Sequence, residues 1–180
     1  MLRFLIGDEP VRLFGTVNAY SAPDWQSMNA MAQVHFSRGA RAQVWMSHEL
    51  PEPGFPHSMD FIRVWGEKGM LEGEHFGKLR VATGGEWRDV WEMPEIDFIN
   101  NPFEPKRLEA FFTQTQDFVD CLREGCPPAV TGEDGRAAIE MIEATYFSNL
   151  TGAAVELPLP RSAGGFQFDG ATVDRERIPG

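Results

Sequence analysis

The sequence predicts an α+β fold: an open, mostly antiparallel mixed sheet with two main helices packed on one face. Three observations predict it. Apolar and polar residues alternate with period two through most of Val11 to Trp91. Apolar residues at helical spacing take over between Leu108 and Leu150. A short apolar segment, Val155 to Pro158, then returns the chain to an extended form. Strands grouped ahead of helices, rather than interleaved with them, point away from a parallel α/β sheet.

In chain order, Leu2, Leu5 and Ile6 suit the end of a helix that stops at Gly7, with Pro10 barring its continuation. A domain rarely opens on the last turn of a helix, so a preceding segment is expected. Val11, Leu13, Gly15, Val17 and Ala19 alternate with Arg12, Phe14, Thr16, Asn18 and Tyr20, giving a two-faced strand. Ser21 to Gln26 is a loop with Pro23 and Trp25. Ala30, Ala32, Val34 and Phe36 then alternate with Asn29, Met31, Gln33 and His35. After the turn Ser37-Arg38-Gly39, Ala40, Ala42, Val44 and Met46 alternate with Arg41, Gln43, Trp45 and Ser47, completing a hairpin.

Glu49 to His57 holds three prolines and a glycine and is irregular. Met59 to Trp65 is a strand, Gly66 to Gly69 a turn, and Met70 to Glu72 pairs back. Leu79 to Ala82 and Trp87 to Trp91 flank the turn at Gly84-Gly85. Met93 to Pro105 is a second irregular stretch. Pro105 starts a helix whose stripe is Leu108, Phe111, Phe112, Thr115, Phe118, Val119 and Leu122, ended by Gly125 and Pro127-Pro128. The last helix has Thr131 as cap and Glu133 and Asp134 in its first turn. Ile139, Ile142, Tyr146 and Leu150 form its apolar stripe, and Asn149 and Gly152 close it. Residues 1–160 make the domain. Residues 161–180 are a glycine-rich tail, expected to be a peripheral strand or disorder.

Small residues at Ala30, Ala32, Ala40 and Ala42 would let helices approach one sheet face closely. Met31, His35, Gln43 and Trp45 project from the other, and Trp65 joins them in one register. Large amphipathic side chains of this kind suit a protein surface, so a homodimer through the open sheet is expected.

The bulk numbers exclude several classes. There are 27 acidic against 16 basic residues, a net charge of −11, and no basic stripe that could displace counterions from nucleic acid. No apolar run has the length of a membrane span, and Met1 to Pro10 has no signal-peptide pattern, so a cytoplasmic protein is expected. Cys121 and Cys126 read as free thiols. The four histidines do not cluster with carboxylates, no serine or cysteine has a partner base, and neither a metal site nor a nucleophile is expected. No G-x-G-x-x-G is present. Gly132-Glu133-Asp134-Gly135 leads into a helix with two acids, which would repel a phosphate, so the turn is a cap.

Several segments carry a family resemblance. EDGRAAIEMIEA, then T-G, then VELPL, preceded by FVDCLREGCPPAVTG, is similar to the closing helix pair and strand of the glucose–fructose oxidoreductase, inositol dehydrogenase and MocA oxidoreductases. MLRFLIGD resembles the family's entry into the same half, and FIRVWGEKGMLEG its middle hairpin. The resemblance runs to about Leu159. It implies the C-terminal half of such an enzyme: an open mixed sheet with helices on one face, lining a sugar or polyol pocket and joining subunits through the exposed sheet. It implies that the N-terminal Rossmann domain is absent from these residues, with its glycine fingerprint and E-K-P lysine. Lys68 shares two letters with that motif but lies in a hairpin turn. The family's catalytic aspartate and histidine would precede Met1, so no catalytic and no cofactor-binding residue is assigned. NAD or NADP is expected only for a full-length relative, and the chain is expected to be inactive alone. Substrate-binding residues are expected in two loops: Trp25, to stack on a sugar ring, and His48 and His57, to hydrogen-bond hydroxyls. The alternative is a stand-alone dimeric binding or scaffolding module that kept the sheet without the chemistry.

Overall fold

A computed structural model describes residues 1–20, 28–49, 61–74, 77–94, 96–97, 100–101 and 103–160. The architecture is α+β. In order it runs α1 (Leu2–Ile6), β1 (Pro10–Asn18), β2 (Asn29–Phe36), β3 (Arg41–Ser47), β4 (Phe61–Gly66), β5 (Gly69–Glu74), β6 (Lys78–Thr83), β7 (Glu86–Glu92), α2 (Pro105–Glu124), α3 (Gly132–Thr151) and β8 (Val155–Glu156). The strands form two four-stranded sheets where one was expected, ordered β3-β2-β1-β8 and β4-β5-β6-β7. Among the described residues every pairing is antiparallel. The chain divides into two compact units, one of residues 1–49 with 132–180, the other of residues 50–131.

In the first unit, the predicted alternation holds in β1 and β2 but not in β3, where Val44 and Met46, predicted on the covered face with Ala42, are exposed. Leu13, Val34 and Phe36 are buried with Ala144 and Leu157, and Leu2, Ile6, Ala32, Ala42 and Met141 pack around them. Each large side chain so buried contributes about 1.5–3 kcal/mol. Gly15 explains how α3 comes so near. A Cβ placed on it would lie 2.7 Å from Thr145 Cγ2 and 3.0 Å from the Met31 carbonyl oxygen. The fully buried Ser148 hydroxyl accepts from the Gly15 N–H at 2.9 Å and donates to the Ala153 carbonyl at 2.7 Å. Thus the helix is hydrogen-bonded to the middle of β1.

This contact overturns the predicted stripe of α3. Its buried residues are Ala137, Glu140, Ala144, Thr145 and Ser148, while Ile139 and Ile142 are more than half exposed. Close approach to a glycine-bearing strand demands small side chains, and the isoleucines cannot meet it. Glu140 belongs to the buried face because its carboxylate accepts the Leu159 N–H at 2.8 Å and pairs with Arg136 at 3.1 Å.

In the second unit, β4 to β7 form a meander, and Lys68 lies in the β4–β5 turn, as expected. Pro105 opens α2 with Glu104 as cap, its side chain accepting the Arg107 N–H at 3.1 Å. Gly125, at φ 69°, ends the helix in the left-handed conformation that glycine adopts without penalty. The α2 stripe of Phe111, Phe112, Phe118 and Leu122 is exposed, and Cys121 is its buried residue.

Candidate functional site

Three strand ends meet at one edge of the first sheet. Asn18 closes β1, Asn29 opens β2 opposite it, and Ser47 closes β3 opposite Asn29. Asn29 is buried, which obliges its amide to find partners. Its nitrogen donates to the Glu49 carboxylate, and its oxygen accepts from the Ser47 hydroxyl. Both Glu49 oxygens also accept the Tyr20 N–H, at 2.9 Å each, and the Glu49 N–H donates to Ser47 Oγ at 3.1 Å. The His48 N–H donates to the Met28 carbonyl at 2.8 Å. One carboxylate therefore fixes the last described residue before segment 21–27 and the last before segment 50–60. Tyr20 leads into the first of these, and Glu49 itself into the second.

Of the predicted substrate residues, His48 directly precedes Glu49 in the chain and has an exposed side chain. Its imidazole can both donate to and accept from a hydroxyl. Trp25 and His57 lie outside the described residues. Sequence reasoning passed over Asn29, Ser47 and Glu49. The available signal was a polar residue at every strand terminus of one sheet edge.

The second sheet carries a different arrangement. Arg63, Glu72, Arg80 and Asp89 face one another across four strands. Glu72 pairs with Arg63 and, at 3.7 Å, with Arg80. Arg80 reaches Asp89 at 3.4 Å, and Lys78 reaches Asp89 at 2.8 Å and Glu92 at 3.5 Å. The Lys78–Asp89 hydrogen bond raises the lysine pKa and lowers that of the carboxylate. Arg63 lies 5.4 Å from the Phe61 ring and 5.8 Å from that of Trp65, and Arg80 lies 5.1 Å from Trp87. A concavity of about 310 Å³ opens here, lined by Phe61, Glu72, Glu74, Lys78, Arg80 and Asp89 among others. Within it Glu72, Lys78, Arg80 and Asp89 are paired with one another or with Arg63 and Glu92.

Among the described residues, no three histidine, cysteine, aspartate or glutamate side chains are grouped to hold a metal. No described helix is long and apolar enough to cross a membrane. The turn at Gly132 to Gly135 does not fit a pyrophosphate: Glu133 and Asp134 occupy the first turn of α3, and Asp134 is bound to Arg3.

Residues 1–157 match a family model described as the oxidoreductase family, C-terminal alpha/beta domain. Inositol 2-dehydrogenase of Rhizobium meliloti is 27% identical over 157 residues, spanning 82% of this chain and 43% of that protein. Two crystal structures share the fold. Aldose-aldose oxidoreductase from Caulobacter crescentus, complexed with glycerol, has a TM-score of 0.67 and 24% identity over 87% of this chain and 44% of its own. An oxidoreductase from Agrobacterium radiobacter, in complex with NAD+, L-tartaric acid and magnesium, has a TM-score of 0.72 and 20% identity over 86% and 45%. The chain thus spans less than half the length of each of these relatives. With the hairpins, the closing helix and the returning strand β8 all inside the matched span, the chain belongs to the glucose–fructose oxidoreductase, inositol dehydrogenase and MocA family, in its C-terminal alpha/beta domain.

Proposed function

We propose that this domain supplies the polyol-facing loops and the subunit-joining sheet of an NAD(P)-dependent oxidoreductase acting on a sugar or polyol. The observation that carries this reading is the Glu49 carboxylate, which holds the Tyr20 N–H and the Asn29 amide together at the polar end of the first sheet. His48 projects from the same edge, where an imidazole suits a hydroxyl partner. A polyol is the natural probe, since one relative is named for inositol and the structure of another holds glycerol. In this reading the nicotinamide is held by a nucleotide-binding domain outside these 180 residues, and the chain alone transfers no hydride. Titration with myo-inositol, followed residue by residue in amide spectra, tests the proposal. His48 and Glu49 are expected to shift, and spectra unchanged at both would refute it.

The same reading assigns subunit contact to the outer face of the first sheet. Phe14, Met31 and Trp45 are exposed there, Trp45 by 54%, among Gln33 and Gln43. A homodimer is expected in sedimentation velocity, with Trp45→Glu shifting it to monomer. A monomer from the unsubstituted chain at high micromolar concentration would contradict the assignment.

A further inference from the structure

The end of α2 brings the chain's two cysteines to one spot. The Gly125 N–H donates to the Cys121 carbonyl, and the Cys126 N–H donates to the same carbonyl at 3.1 Å. This is the double closure of a helix whose next residue is left-handed, and it sets the side chains at the two ends of the six-residue turn against each other. In most helices an apolar pair fills those positions. Here both are thiols, and both are free. Cys121 is buried with its thiol donating to the Pro127 carbonyl at 3.5 Å, one residue beyond its neighbour, while Cys126 is exposed.

We propose that Cys121 and Cys126 form a dithiol site that is oxidised by a small-molecule disulfide such as oxidised glutathione, closing a bridge across the end of α2. The order of attack follows from exposure. Cys126 as thiolate attacks one sulfur of the disulfide; that S–S bond breaks, and one glutathione leaves as thiolate. Cys121 then gives its proton to solvent and attacks Cys126 Sγ. The mixed S–S bond breaks, and the second glutathione thiolate departs. Two protein thiols are oxidised, one glutathione disulfide is reduced, and each released thiolate takes up a proton. The neighbouring Cys126 thiol, burial, and the Asp117 and Glu124 carboxylates push the Cys121 thiol up to about 11, which disfavours it as the first attacker; in the second step Cys126 is bonded to glutathione and no longer raises it through its thiol.

The test uses the full chain treated with oxidised glutathione, quenched with iodoacetamide, and read by intact and peptide mass. The expected product has lost two hydrogens, retains no glutathione, resists alkylation at both cysteines, and reverts with dithiothreitol. Cys121→Ser is expected to accumulate the glutathione adduct on Cys126. Closure of the unsubstituted chain is expected to run about tenfold faster in the folded protein than in urea, because the turn pre-positions the sulfurs. An adduct that persists on Cys126 of the unsubstituted chain, or closure equally fast in urea, would overturn the proposal.

Discussion

Among the described glycines of the first unit, Gly15 has the least room for a side chain. Its backbone conformation is one any residue can adopt, so the constraint comes from α3 and the β2 backbone, not from φ. An added methyl meets Thr145 and the Met31 carbonyl closer than real contacts allow. Gly15→Ala is therefore expected to cost about 1–3 kcal/mol by overpacking, measured as a lower urea midpoint with unchanged slope. Asp8 makes a second prediction at this scale. The Ser37 hydroxyl and the Arg38 N–H donate to it, and the Arg38 guanidinium adds its charge, lowering its pKa from 3.8 to about 2. A depressed folded pKa means that the unfolded chain takes up the proton first, so Asp8 stabilises fully above about pH 4 and loses that contribution as pH falls toward 2. Asp8→Asn is expected to flatten the stability profile across that interval, which thermal unfolding at stepped pH would show. A profile as steep as that of the unsubstituted chain would remove Asp8 from the account.

The strands and helices show where sequence periodicity carries information and where it misleads. In β1 and β2 the period-two pattern assigned the faces of Leu13, Val34 and Met31 as they stand, because one face of those strands is covered and the other is not, whereas in β3 Val44, Trp45 and Met46 are all exposed. The same logic mistook α3. Ile139 and Ile142 form a convincing stripe, yet the burying face is the one with alanine, serine and threonine, since distance to β1 decides what fits. A helix wheel weighs hydrophobicity and is blind to how near its partner comes. The charged ladder of β4 to β7 was also illegible, because single hairpins show alternation and only the four-strand register lines up Arg63, Glu72, Arg80 and Asp89. Glu72 is the keystone, facing an arginine on either side with little solvent exposure. Glu72→Ala leaves Arg63 without its carboxylate and Arg80 with Asp89 alone, and is expected to destabilise the sheet by about 1 kcal/mol, with the loss reduced in high salt. A salt-independent loss would point to packing instead of charge.

Across the whole chain, family and fold class were readable because they rest on long segments, above all EDGRAAIEMIEA and VELPL. The candidate site was readable only in part. His48 was named for its position beside a proline-rich loop, but Asn29, Ser47 and Glu49 gain their meaning from strand ends that converge in space. Tyr20, Asn29, Ser47 and Glu49 are separated in sequence and joined by one carboxylate, and that juxtaposition is what the linear pattern does not display. The most direct measurement is the myo-inositol titration of the labelled chain and of His48→Ala, followed in amide spectra. Saturable shifts at His48 and Glu49, with the amides of Glu72 and Asp89 unmoved and affinity about tenfold weaker in His48→Ala, are the predicted result. Shifts confined to the β4–β7 sheet, or none at all, would contradict it.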